Sequence, residues 1–308
     1  MSGTTYHHAE MAVTLAPNAA EQPTSLSAFL QQATSALSAA GLGEALREAR
    51  WLVREVLRLD ETDLMLRENV LLSQGERARL RDALRRRAAR EPLPYIVGST
   101  QFLNWRFSIT PAVLVPRPET EIWVEAVAQR LSRLDLRGLT AVDVGCGSGV
   151  IGTSLCLLGA AARALLLDIS WDAVALARDN ATALGLGRRV LVARADLLRA
   201  VRPSAPYALV ANLPYVERGV IDSLEPEIRL WEPRQALDGG EDGLAAIGRL
   251  LEQVAALPTP PRLMALEVGA GQGAEVEALV RRIGVWESLE WVRDYGGVQR
   301  AVIAYAHN

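Results

Sequence analysis

Lysine is absent from this 308-residue chain, and all 33 basic residues are arginine. That excludes a P-loop, which needs a lysine after its last glycine, and any Schiff-base lysine chemistry. A GC-rich coding sequence accounts for a composition rich in Ala and Arg, and the exclusions hold whatever the cause. Histidine is almost as scarce: His7, His8 and His307 sit at the chain ends, which argues against a His-based triad or zinc site. No metal is expected. The two cysteines, Cys146 and Cys156, give no disulfide framework and fit a reducing, cytoplasmic setting. No apolar run reaches the roughly 18 residues of a membrane-crossing helix. The first two dozen residues lack the charged start and apolar block of a secretory signal. Residues 1–24 are expected to be a disordered leader, with Met11 an alternative start. The net charge of −3 predicts neither a general nucleic-acid binder nor a membrane-surface protein.

What is present falls into blocks. Residues 25–92 read as a small all-helical domain. Ser25 can cap a first helix, and "EALREARWLVREVL" puts Leu46, Ala49, Leu52, Val53 and Leu57 on one face. "SQGERARLRDALRRRAARE" carries a further helix with seven arginines between Arg77 and Arg90. Those arginines invite an RNA-binding reading, but Glu76 and Asp82 dilute them, and a solvated helix face is the simpler one. Residues 93–118 suggest a hairpin followed by an extended, Pro-bounded linker. From 119 to 308 strand and helix alternate, with strands expected at 140–144, 163–168, 189–193, 207–211, 262–268 and 299–305. Helices are expected between most of them, including 171–184 and 241–256. This order implies an α/β domain with a mostly parallel, doubly wound sheet.

Four strand ends carry the chemistry. The first runs into "VDVGCGSGV", where Asp143 precedes Gly145, Cys146, Gly147, Ser148 and Gly149. Such glycines let the backbone approach a ligand where a helix N-terminus offers free N–H donors. The second ends at Asp168, nineteen positions beyond Gly149, where a carboxylate can accept from two ribose hydroxyls. Gly-x-Gly-x-Gly after an acid resembles the S-adenosylmethionine (SAM) site of class I methyltransferases. An NAD loop or a purely structural turn are the alternatives. After the third strand, Asp196 and Leu197 fall where such enzymes flank adenine; Asp196 alone reads equally well as an ordinary strand-end acid.

"YALVANLPYV" (207–216) then asks why a core strand should leave through Asn212, Leu213, Pro214 and Tyr215. In a doubly wound sheet this turn borders the ligand. An amide nitrogen is a poor nucleophile because its lone pair is delocalised. Two acceptors binding its N–H groups out of plane would localise that pair: the Asn212 side-chain oxygen and the Leu213 carbonyl. Pro214 fixes the turn, and Tyr215 offers a face for a planar group. A bland strand-end turn would not need this combination.

The Asn-x-Pro-Tyr turn resembles that of methyltransferases acting on planar nitrogen, whether adenine N6 or protein glutamine. "PLPYIVG", "FLNWRFSITPAVLVPRPETE", "EPEIRLWEPRQALDGGEDGL", "LEVGAGQG" and "DYGGVQRAV" together resemble the PrmC/HemK family over roughly residues 25–305. The family comprises peptide chain release factor N5-glutamine methyltransferases. The resemblance implies a class I SAM-dependent methyltransferase (Rossmann-like) with a helical N-terminal domain that docks the release factor. It implies SAM contacts at Gly145–Gly149, Asp168, Leu197 and Asn212, and a glutamine received by Asn212–Tyr215. Arg117, Glu119, Thr120 and Glu121, within "VPRPETE", resemble the segment lining the approach to the site; Pro118, Glu119 and Glu121 equally suit a helix N-terminus. A cytoplasmic monomer with no direct nucleic-acid binding is expected. The family's turn is Asn-Pro-Pro-Tyr, and Leu213 departs from it. Asn-Leu-Pro-Tyr also occurs in ribosomal RNA adenine dimethyltransferases, which keeps nucleic acid as an alternative target, beside a ribosomal-protein glutamine. Phe102 reads as a core aromatic or a pocket wall, and "LEVGAGQG" as a tight turn.

Overall fold

A computed structural model describes residues 24–134, 138–199, 201–202 and 206–306. The expected leader therefore lies outside the described residues, apart from Thr24. The chain divides into two units, Met1–Val97 and Gly98–Asn308.

The first unit holds five helices among its described residues: α1 (Leu26–Ala39), α2 (Ala45–Leu57), α3 (Glu61–Leu66), α4 (Gln74–Ala88) and the short α5 (Leu93–Val97). Ser25 caps α1 by accepting from the Ala28 N–H. Ser73 and Glu76 form a reciprocal capping box on α4. The Arg67 guanidinium and the Ser73 backbone N–H together pull the Glu76 carboxyl down to about 2. In α2 the buried stripe is Ala45, Ala49, Leu52 and Val53. Leu46, expected on that face, is exposed, and Ala45 takes its place. In the arginine-rich stretch Arg79, Arg81 and Arg85 are exposed, as a solvated face requires, while the last three arginines depart from it. Arg86 pairs with Glu91 and Arg87 with Glu48, while Arg90 donates to the Ala40 and Gly41 carbonyls. Of these three only Arg87 is buried; its bond to Glu48 and the Arg90 bonds to the end of α1 tie α4 and the residues after it to α2 and α1.

The second unit opens with the hairpin β1 (Ser99–Phe102) and β2 (Trp105–Ser108), followed by α6 (Pro118–Arg133). Then come β3 (Thr140–Val144), α7 (Val150–Leu157), β4 (Arg163–Asp168), α8 (Trp171–Ala183), β5 (Val190–Arg194) and β6 (Tyr207–Ala211). The chain closes with α9 (Pro226–Trp231), α10 (Ala245–Ala255), β7 (Leu263–Glu267), α11 (Gly273–Arg282), β8 (Trp286–Arg293) and β9 (Gln299–Ala306). The strands form one seven-stranded sheet in the order β5-β4-β3-β6-β7-β9-β8. From β5 to β7 all pairings are parallel; β9 runs antiparallel to both its neighbours. Every residue of β6 and β7 is buried, as an apolar strand covered on both faces must be.

Three elements differ from the sequence expectation. Helix α5 stands at the start of the segment expected to be hairpin and linker, and it belongs to the first unit, which runs to Val97. Strand β8 was not foreseen, because "WESLEWVR" is a charged edge strand with only Val292 buried, and edge strands shed the apolar alternation that marks inner ones. Helix α10 starts at Ala245 rather than 241, because Gly243 adopts φ +73° and ends a turn that packs against the site. The strand order reverses direction at β3/β6, which opens a crevice beyond their carboxyl ends.

Candidate active site

A cavity of about 510 Å³ lies at that switch point. Its floor is the turn after β3. Gly145, Gly147 and Gly149 have φ of +72°, +53° and +81°, a region that costs other residues strain. The Gly145 and Cys146 N–H groups donate to the Leu167 carbonyl at 2.8 and 3.0 Å. Two carboxylates hold the turn from outside. Asp168 Oδ2 accepts from the Gly147 N–H at 2.9 Å and its Oδ1 from the Ser170 N–H at 2.9 Å. A carboxylate has about four acceptor positions, so lone pairs remain for further donors. Asp143 Oδ2 accepts from the Gly152 N–H at 2.8 Å, while its Oδ1 is buried without a partner. Full burial pushes the Asp143 carboxyl up to about 7, with Asp168 adding to the effect. Cys146 lines the cavity, and burial raises its thiol well above its usual range, away from the thiolate form.

Opposite walls come from the ends of β4, β5 and β6. Leu197 lines the cavity in a left-handed conformation, φ +54°. Beside it, both Asp196 oxygens accept from Arg249 Nη2 at 2.6 Å. The Leu198 N–H donates to Gln253 Oε1 at 2.7 Å, so α10 holds this loop at two points. Ile169, which the sequence did not single out, is a cavity residue left 43 % exposed. An apolar side chain in that position gains by being covered with a flat ring.

Asn212, Leu213 and Pro214 line the cavity. Leu213 is buried, and a Cβ placed on Gly145 would stand 2.9 Å from its Cδ2. The bare glycine of one turn thus makes room for the leucine of the other. Among the described residues, neither the Asn212 carboxamide nor the Leu213 carbonyl has a hydrogen-bond partner. Tyr215, expected to complete the site, does not line the cavity; its phenol is raised by burial and by the nearby Glu267.

Arg117 and Glu119 do not line the cavity; Pro116 and Thr120 of the same segment do. Arg117 instead donates to Glu232 Oε2 at 2.8 Å. Burial pushes Glu232 up to about 7 against the pull of that guanidinium. Glu119 lies near Arg300, at 3.8 Å. Phe102 is a core aromatic, fully buried and packed edge-on to Phe107. Asn180, also unforeseen, bonds the Ser108 backbone and donates to the Ser148 carbonyl at 2.9 Å, tying the hairpin to the glycine turn. No sequence motif marks it, because its partners are 72 and 32 positions away.

The parallel sheet, the glycine turn and the strand-end acid at the switch point define a class I methyltransferase. The comparisons agree. A model described as the PrmC N-terminal domain matches residues 28–98, and one described as the methyltransferase small domain matches residues 120–226. Among curated relatives, the release factor glutamine methyltransferase of Moorella thermoacetica is 39% identical over 90% of this chain and 96% of its own. Its counterpart from Caulobacter vibrioides is 36% identical over 87% and 91%. The chain belongs to the release factor glutamine methyltransferase family. Among solved structures, the hMettl16 catalytic domain in complex with MAT2A 3'UTR hairpin 1 aligns with a TM-score of 0.54 at 13% identity, over 84% of this chain and 91% of that one. That similarity is one of fold.

Proposed function

We propose that this enzyme methylates the side-chain amide nitrogen (N5) of the glutamine in the Gly-Gly-Gln loop of peptide chain release factors, with SAM as methyl donor. One observation carries the reading: two acceptors without a partner among the described residues, the Asn212 carboxamide oxygen and the Leu213 carbonyl, belong to successive residues that line the cavity. Their family membership supplies the substrate class.

The residues present fit the cofactor. A Cβ on Gly147 would meet only the cavity residue Val113, at 3.9 Å, so any side chain there would occupy the cavity itself. Asp168 keeps free lone pairs for the ribose hydroxyls, and Ile169 and Leu197 offer apolar surface to the adenine. The glycine turn Gly145–Gly149, including Cys146 and Ser148, would follow the amino-acid portion. Bound SAM supplies a sulfonium methyl as the electrophile.

The remaining work falls to the chain. Asn212 and Leu213 accept the two amide N–H groups out of the amide plane and localise the nitrogen lone pair as its new bond forms. Pro214 limits the turn's freedom, and Tyr215, outside the cavity lining, supports the turn from behind. No strong base is needed, because the alkylated amide nitrogen is acidic and yields its proton to water. Holding the nitrogen in line with the methyl carbon is the dominant contribution. Arg117 and Glu119 contribute through the approach segment and not by contact with the reacting atoms. The helical unit leaves Met65 and Leu66 exposed, apolar surface of a kind that a protein partner covers. No helix among the described residues is long and apolar enough to cross a membrane, and Cys146 and Cys156 are free thiols, in keeping with work in the cytoplasm.

Methyl-tritiated SAM with purified release factor, wild type beside its loop Gln→Ala variant, tests the reading. Label should enter the wild-type factor alone. Equal label on both would move the acceptor to another residue. Label on neither, with SAM still bound, would redirect the search to ribosomal protein and then to RNA.

A further inference from the structure

The segment Glu267–Gln272, "EVGAGQ", stands behind the Asn212–Tyr215 turn and holds it at both ends of Tyr215. Glu267 closes β7 and is buried. Its Oε2 accepts from the Thr120 hydroxyl and from Trp123 Nε1, each at 2.6 Å, and its Oε1 lies 3.4 Å from the Tyr215 hydroxyl. All three donors are neutral, so the carboxylate is fixed by geometry and not by an ion pair. Gln272 works on the main chain of the same tyrosine. Its Nε2 donates to the Tyr215 carbonyl at 2.9 Å, while its Oε1 accepts from the Gly269 N–H at 2.8 Å.

Two glycines show how close this fit is. A Cβ on Gly243 would stand 2.4 Å from the Tyr215 carbonyl oxygen and 2.5 Å from Gln272 Nε2. One on Gly269 would stand 2.7 Å from Gln272 Oε1 and 3.2 Å from Tyr215 Cδ2. Neither site accepts a side chain without displacing the tyrosine or the glutamine. With Leu213 wedged over Gly145 on the other side, the turn is gripped from both directions.

We propose that Glu267 and Gln272 are positioning residues for methyl transfer, which clamp Tyr215 by its hydroxyl and its carbonyl and thereby set the spacing of the Asn212 and Leu213 acceptors. The inference rests on the reading of Asn212–Tyr215 as the acceptor turn. Neither residue lines the cavity, so both act through the turn. Misplacing acceptors by about 1 Å costs on the order of 100-fold in rate, and loosening one of two anchors should cost part of that.

The test compares Gln272→Met, which keeps the side chain's length and removes both its hydrogen bonds, with Tyr215→Phe, which removes one hydroxyl. Measured quantities are kcat, KM for release factor, SAM affinity by calorimetry, and melting temperature. Each variant should lose about tenfold in kcat while SAM affinity stays within about twofold of wild type. Glu267→Gln can still accept from Thr120 and Trp123 and donate to the tyrosine oxygen, so it should keep more kcat than Tyr215→Phe. Unchanged kcat in both variants overturns the clamp, as does SAM affinity falling in step with kcat. If Gln272→Met does not fold, Tyr215→Phe and Glu267→Gln decide alone. Asn212→Ala runs beside them: wild-type turnover there would mean that the acceptor turn itself was misassigned, and the clamp would fall with it.

Discussion

The glycine turn after β3 and the Asn212–Tyr215 turn after β6 leave adjacent strands and face one cavity. In the first, the Gly145 and Cys146 N–H groups are taken by the Leu167 carbonyl and that of Gly147 by Asp168, 21 positions on, so the turn offers a ligand bare, glycine-lined backbone. In the second, the groups proposed to work are acceptors, and Tyr215 beside them is held by Glu267 and Gln272, more than fifty positions away. A turn that presents its backbone to a cofactor can be built locally, from glycines that tolerate positive φ. One that must hold a side chain and a carbonyl at fixed spacing has little internal rigidity beyond Pro214, and depends on neighbouring strands for the rest.

The sharpest test of the local half is Asp143→Asn. Its carboxyl is raised to about 7, so the native state binds this proton more tightly than the unfolded chain does. The associated stability is complete below about pH 4, is lost as pH rises toward 7, and is constant above. Denaturant melts at a series of pH values should show the Asn variant gaining on wild type by roughly 4 kcal/mol between about pH 4 and pH 8. A parallel pair of curves would mean that Asp143 is ionised throughout.

Asn212→Ala should cost about 100-fold or more in kcat with SAM affinity nearly unchanged. Proportional loss of SAM binding would erase the division between the two turns, since Asn212 would then be a cofactor residue first. Asp168→Ala should do the reverse at smaller scale: roughly tenfold to a hundredfold weaker SAM binding, from loss of charge-assisted hydrogen bonds, with kcat at saturating SAM little changed. Calorimetry and saturation kinetics on the same preparations separate the two outcomes.

Much of the fold was legible because its signals are local. The apolar runs of β3, β4 and β6 are bounded by turn residues, and the glycine turn and Asp168 follow directly at strand ends. The same holds for Asn212–Tyr215, whose composition suits no ordinary turn. Arg117 shows the limit. Its motif marks an approach segment, yet the guanidinium is taken by Glu232, 115 positions on. Ile169 was missed because an isoleucine after a strand-end acid looks like any other. "LEVGAGQG" was visible only as a turn; that its glutamate and glutamine grip Tyr215 depends on β7 lying beside β6 in the sheet.

The sequence by itself determined the alternation of strand and helix, the positive-φ glycines, the strand-end acid and the Asn-Leu-Pro-Tyr turn. Each is set by steric and hydrogen-bonding rules acting over a few residues. Tertiary structure alone decided which partners Arg87 and Arg117 take, that Leu213 seats over Gly145, that Asn180 ties the hairpin to the glycine turn, and that Glu267 and Gln272 stand behind the Asn212–Tyr215 turn. Those pairings bring together groups tens to more than a hundred positions apart. A buried polar side chain must find its partner in whatever the fold places beside it, and only sheet order and helix packing specify what that is.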